Sequence, residues 1–190
     1  MRPLVRIPTL ALATALAAAC TDASHTTAPT AGVALARQSA GAAERLVTMM
    51  DACDPTTFNA ALNDPTACVR NGGVTFDHFI AQLQKHGSIG SWRNAPSKLN
   101  VHVGQTLVAW NRGGEVHTFT EVAEFGGGFI PILNQLSGNP VPAPECLALD
   151  ADDFVPPGGA YRDDVEEAET ERYQCCLHPW MRTTVHARER

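Results

Sequence analysis

The string that most limits how this chain can fold is Tyr173-Gln174-Cys175-Cys176-Leu177-His178-Pro179-Trp180-Met181. It sets a thiol, an imidazole and a thioether at three-residue intervals: Cys175, His178 and Met181. At the end of a strand, with a tight loop following, this spacing lets all three side chains turn toward one point. Thiolate and imidazole are strong ligands for a transition-metal ion, and a thioether is a weak one. One loop supplies too few strong donors, so a second imidazole has to come from another strand. The upstream run Trp110-Asn111-Arg112-Gly113-Gly114-Glu115-Val116-His117-Thr118-Phe119 offers His117 on a hairpin. The fold must therefore bring residue 117 beside residue 175.

The downstream half carries the pattern of a fold that can do this. Leu99–Val103 alternates and ends at Gly104. Thr106–Asn111, Val116–Val122, Tyr161–Val165, Arg172–Cys176 and Arg182–Ala187 are further short strand candidates. Turns separate them, at Arg112–Glu115 and at Pro156-Pro157-Gly158-Gly159, and a long Gly/Pro/Asn-rich connection runs from Phe125 to Pro144. Short strands at hairpin spacing predict a β-sandwich of about 100 residues.

Upstream, the pattern is helical and rich in loops. Gly41–Asp51 is Ala-rich and reads as a short helix carrying Leu46, Met49 and Met50. Asp54-Pro55 reads as an N-cap followed by a first-turn proline, opening a helix with Phe58 and Leu62. In Thr75–His86, Phe76, Phe79, Ile80 and Leu83 fall at i, i+3, i+4 and i+7, with Gly87 as the C-cap. That stripe reads as core packing, with His78 and His86 on the surface.

Residues 1–20, MRPLVRIPTLALATALAAAC, have a basic start at Arg2 and Arg6 and an apolar stretch from Leu10 to Ala19. This is the form of a secretory signal, too short for a membrane span. Small residues directly before Cys20 are similar to a bacterial lipobox, with Ala17 where Leu is commonest. The expectation is export to a periplasmic or cell-surface location, with lipid on Cys20 as a membrane tether. Residues 20–40 then form a flexible Ser/Thr/Ala/Pro-rich tether in which His25 is solvated. With 14 basic against 20 acidic residues, the chain lacks the basic face of a sequence-independent nucleic-acid binder, so no nucleic-acid partner is expected.

A trigonal site of two His and one Cys with a long axial Met is the arrangement of a blue-copper electron-transfer centre. Zinc would be expected to use more Cys or His and no Met. Cys-x-x-Cys and Cys-x-x-Cys-His, the redox and c-haem motifs, are missing. Vicinal Cys175 and Cys176 on a strand point to opposite faces, which does not suit a binuclear copper centre. The bland alternative is a buried thiol beside a structural His. His102 and His186 have no partners at metal spacing.

On these residues, the C-terminal part resembles the cupredoxins, the type 1 copper family that includes plastocyanin, pseudoazurin and amicyanin. The ligand loop is most similar to that of amicyanin, and the Pro-Pro-Gly-Gly turn is also family-like. The resemblance implies a mainly β fold, a cupredoxin-like Greek-key β-sandwich over residues 98–190, with residues 41–97 as a short helical and loop extension packed on it. It implies one copper held by His117, Cys175, His178 and Met181, and a non-enzymatic carrier of single electrons. Redox partner proteins would dock where His178 nears the surface in an apolar rim beside Pro179 and Trp180. The rival function is a copper carrier or sensor without electron traffic. Two positions depart from the family: Thr118 where Asn often braces the loop, and Cys176 where Thr or Ser often follows the ligand Cys.

Six cysteines complete the reading. With Cys20 lipidated and Cys175 on copper, Cys53, Cys68, Cys146 and Cys176 remain, which allow three pairings. Cys53 with Cys68 closes a short segment, leaving Cys146 for Cys176. An exported location favours such bonds.

Overall fold

The computed structural model describes residues 43–190. The signal at 1–19, the lipidation site Cys20 and the whole tether at 20–40 lie outside the described residues. In chain order the strands are β1 (Arg45–Met50), β2 (Arg93–Ala95), β3 (Lys98–His102), β4 (Thr106–Asn111), β5 (His117–Thr118), β6 (Thr120–Glu121), β7 (Phe154–Val155), β8 (Ala160–Asp164), β9 (Thr170–Gln174) and β10 (Arg182–Arg188). The helices are α1 (Pro55–Leu62), α2 (Phe76–His86) and α3 (Pro131–Leu136).

The strands form two four-stranded sheets, β2-β1-β4-β8 and β3-β10-β9-β6, and a small pair, β5-β7. Alternation decides what each sheet buries. Val47 and Met49 of β1 and Leu107 and Ala109 of β4 share one core with Leu99 and Val101 of β3, Tyr173 of β9, and Val185 and Ala187 of β10. The two inner faces thus make the mainly β sandwich that the strand spacing predicts. Phe119, between β5 and β6, turns inward and stacks on Tyr173 with ring centroids 4.5 Å apart.

The expected helix at Gly41–Asp51 is instead strand β1, parallel to β4, with Leu46 opposite Val108. The period decides it. Val47 and Met49 are fully buried while Leu46 is 49% exposed, so the inward residues alternate rather than recur every three or four. The domain boundary moves with it. Residues 41–97 are not an extension on a sandwich that starts at Lys98, because they contribute β1 and β2 to the first sheet. Helices α1 and α2 are inserted between these two strands. The Val116–Val122 segment is split: β5 pairs with β7 and β6 with β9. Helix α3 lies in the connection read as irregular, where Pro131 occupies its first turn.

Local signals set α1 and α2 as read. Thr57 N–H donates to the Asp54 carboxylate at 2.9 Å, with Pro55 in the first turn. His78 N–H donates to Thr75 Oγ1 and Gly87 ends α2 at φ 69°. Phe58, Phe79 and Leu83 are buried, and the Phe58 ring lies 5.5 Å from Phe79 and 5.8 Å from Trp92.

Both expected disulfides are present, Cys53–Cys68 and Cys146–Cys176. The second ties the residue after Cys175 to a one-turn 3₁₀ helix at Pro144–Leu147, across 30 residues of chain. Constraint of that loop in the unfolded chain is worth roughly 3 to 4 kcal/mol. A Cys146→Ala/Cys176→Ala double variant should lose about that much in denaturant unfolding, and unchanged stability would contradict this role.

Candidate metal centre

Two strands bring the centre together. Strand β5 carries His117, and the loop that starts where β9 ends carries Cys175, His178 and Met181. The loop is closed by its own backbone: Cys175 N–H donates to the Met181 carbonyl at 3.0 Å and Met181 N–H to the His178 carbonyl at 2.8 Å. Thr118 clamps loop to strand, since its Oγ1 accepts the Cys176 N–H at 2.7 Å and its own N–H points to Cys175 Sγ at 3.4 Å. A Thr at this position therefore braces the loop with its hydroxyl. Cys176 turns away into its disulfide and leaves Cys175 as a free, fully buried thiol.

Cys175 Sγ lies 3.7 Å from His117 Nδ1 and 3.8 Å from His178 Nδ1. All three donor atoms fall within 4.8 Å of one another. Bonds of about 2.0 Å to nitrogen and 2.3 Å to sulfur, meeting at about 120°, set N and S about 3.7 Å apart. The spacing is that of three ligands around one ion, and long for a direct N–H···S hydrogen bond. Met181 is fully buried in the same core cluster as Cys175. Three of the four sequence-predicted residues, His117, Cys175 and His178, thus bring their donor atoms together, with Met181 buried in the same core, and such a donor set fits copper. His102 is exposed and bonds the Glu189 carbonyl, His186 bonds Thr170, and neither joins the cluster.

Two carboxylates unforeseen in the sequence hold the outer edges of the imidazoles. His117 Nε2 donates to Asp51 Oδ2 at 2.9 Å, so that Nδ1 faces the sulfur. Asp51, its side chain 1% exposed, also accepts the N–H groups of Gly114 at 2.9 Å and Glu115 at 3.0 Å. A Cβ on Gly113 would sit 1.8 Å from Asp51 Oδ2, so glycine is required for this approach. On the other side, Glu115 Oε2 lies 3.7 Å from His178 Nε2 and accepts the Trp92 indole N–H. A hydrogen bond such as that from His117 to Asp51 fixes the orientation and raises the basicity of a ligand imidazole, while Glu115 stands at ion-pair distance from His178. The Gly-Gly pair is the only trace of this in the sequence, marking where another segment passes close. A second cluster, Asp51, Cys53 and Glu115, offers no comparable site because Cys53 is in a disulfide.

His178 departs from expectation. It is 4% exposed rather than presented at the surface. The Phe79 ring lies 6.3 Å from it and the Trp180 ring 5.4 Å. Pro179 is buried and Trp180 half-buried. The cause is α2, together with Trp92, which covers the edge that a bare sandwich would leave open.

Charge is balanced within this buried group. Burial pushes the His117 imidazolium down, but Asp51 and the Cys175 sulfur outweigh it and raise the pKa to about 10. Burial pushes the Cys175 thiol up, and His117 and His178 outweigh it and hold it well below the ordinary thiol value. Burial raises Glu115, against the opposing effects of His178 and Trp92. Without metal, both shifts run toward a thiolate on Cys175 and an imidazolium on His117. His117 binds more protons folded than unfolded between pH about 6.5 and 10, and its stabilisation fades as pH rises through that window. Cys175 binds fewer protons folded than unfolded up to about pH 9, and its stabilisation grows with pH there. The two slopes oppose each other below pH about 9, and above 9 only the His117 loss remains. The pair's contribution, measured as the melting-temperature difference between the metal-free protein and its Cys175→Ser/His117→Asn variant, should fall between pH 9 and 10. A steady rise through pH 10 would contradict the pair.

No family model matches the chain, and no curated protein does. Among solved structures it is similar to a purple cupredoxin from Nitrosopumilus maritimus, at 19% identity and a TM-score of 0.39 over 53% of this chain and 86% of that one. It is also similar to a Cu(I) amicyanin variant, at 24% identity and a TM-score of 0.35 over 53% and 78% of the two chains. A plastocyanin from Dryopteris crassirhizoma shares 15% identity with a TM-score of 0.36 over 52% and 91%.

Proposed function

We propose that this is an exported type 1 (blue) copper protein that carries single electrons between redox partners. His117, Cys175 and His178 are its strong ligands and Met181 the weak one. The observation that carries the reading is the placement of one thiolate sulfur 3.7 and 3.8 Å from two imidazole Nδ1 atoms. Copper supplies a one-electron couple in such a set. The chain's part is to hold the donors. Asp51 fixes His117 by its outer nitrogen, Thr118 and the Cys146–Cys176 bond hold the sulfur, and the core around Met181 excludes water. A donor set locked from several sides reorganises little when one electron arrives or leaves, as a non-enzymatic electron carrier requires.

The copper carrier or sensor reading is less favoured. A carrier has to hand over its ion, and these ligands are 0–4% exposed. Two disulfides suit an oxidising compartment, which supports export. Among the described residues no helix is long and apolar enough to cross a membrane. The excess of acidic residues would favour a basic face on a docking protein near Pro179 and Trp180.

Copper(II) added to the metal-free protein should give an intense visible thiolate charge-transfer band, and Cys175→Ser should abolish it. A band that survives that substitution would overturn the assignment. Asp51 places a negative charge against one ligand and so favours the more positive, oxidised ion. Asp51→Asn should raise the reduction potential in protein voltammetry, and an unchanged or lower potential would contradict this.

A further inference from the structure

A cavity reaches the proposed centre. A cleft of about 370 Å³ opens between α1, α2 and α3 and ends on the ligand loop. Its walls are mainly apolar, with Phe76, Ile80, Leu133 and Leu177 among them; its polar lining is Glu115 and His178 at the inner end and the exposed Asp64 and Thr66. Phe58 meets two other wall rings edge to face, Phe76 at 5.3 Å and Phe79 at 5.5 Å, and those two are stacked on each other, so the three form a preset aromatic wall. The Glu115 side chain is about one-tenth exposed. Among the described residues its carboxylate is engaged through Oε2, by Trp92 and beside His178.

We infer that this cleft is a binding site for a small monocyclic aromatic molecule bearing one hydrogen-bond donor, of the phenol class. Its shape and chemistry select that class. The volume is within the range of small-molecule sites, and a site with apolar walls and few polar groups fixes orientation through those groups. A ring packs on Phe76, the half-buried one of the three rings, and on the aliphatic walls beside it. The Glu115 carboxylate is an acceptor in low-polarity surroundings, and it rewards a ligand hydroxyl over an apolar group of the same size. The side chain of His178 is only 5% exposed, so a flat protein surface does not meet the imidazole, whereas a ring entering the cleft does. The significance of the site rests on the copper reading, since His178 is a proposed ligand. Its geometry does not.

The test uses the full exported chain, metal-free and in the diamagnetic Cu(I) form, titrated with p-cresol and with p-xylene, which has a methyl in place of the hydroxyl. Backbone amide NMR shifts should localise p-cresol to Phe79, Ile80, Leu133 and Leu177, with binding about tenfold tighter than that of p-xylene. Ile80→Trp, which fills the cleft, and Leu62→Trp at its mouth should each abolish those shifts while the Cu(II) visible band is kept. Equal binding of the two probes would overturn the inference, as would shifts that survive both variants. Shifts that appear with protein concentration alone would assign the cleft to a second copy of the chain and also overturn it. If p-cresol binds but copper gives no thiolate band, the copper reading fails and the site stands. A band without p-cresol binding is the reverse case.

Discussion

One contact sets the terms for the rest of this structure: the buried Cys175 sulfur facing two imidazole nitrogens. A thiolate taken out of water is costly unless positive charge meets it. His117 supplies that charge in the metal-free protein, and a metal ion would supply it in the loaded one. His117 is itself fully buried and is held from behind by Asp51. Asp51 in turn depends on two backbone N–H groups, and these reach it because Gly113 has no side chain. Each buried charge requires the next, and the sequence of requirements ends on backbone groups.

That dependence explains why the described fold is larger than a sandwich with one loop. Asp51 directly follows β1, so the first strand of the first sheet delivers a partner to a histidine that lies beyond that sheet. The Cys53–Cys68 bond and the Arg70 carbonyl lie against Gly114, which packs the α1 region onto the same turn. Trp92 closes the other side by donating to Glu115 while stacking on Phe58. The segment from Asp54 to Trp92 is therefore part of the centre's wall, and it buries His178 where the bare loop would have left it open.

The legible parts were those written locally. Cys175, His178 and Met181 share one nine-residue string, and His117 sits on a hairpin that strand periodicity exposes. The pairing of Cys146 with Cys176 followed from parity and from alternation on a strand. Asp51 and Glu115 were not legible, because their partners lie across the fold and an isolated carboxylate has no spacing to read. β1 was misread because Leu46, Met49 and Met50 also fit a helical period, and only tertiary pairing with β4 sends Leu46 outward. The burial of His178 was missed for the same reason: the stripe of α2 shows that it packs, but not against what.

The central claim is that this sulfur and these two nitrogens share one metal ion. X-ray absorption at the copper edge of the Cu(II)-loaded protein tests it most directly. The account predicts two nitrogen scatterers at about 2.0 Å and one short sulfur scatterer near 2.3 Å. A shell of nitrogen and oxygen alone, with no sulfur at bonding distance, would contradict it.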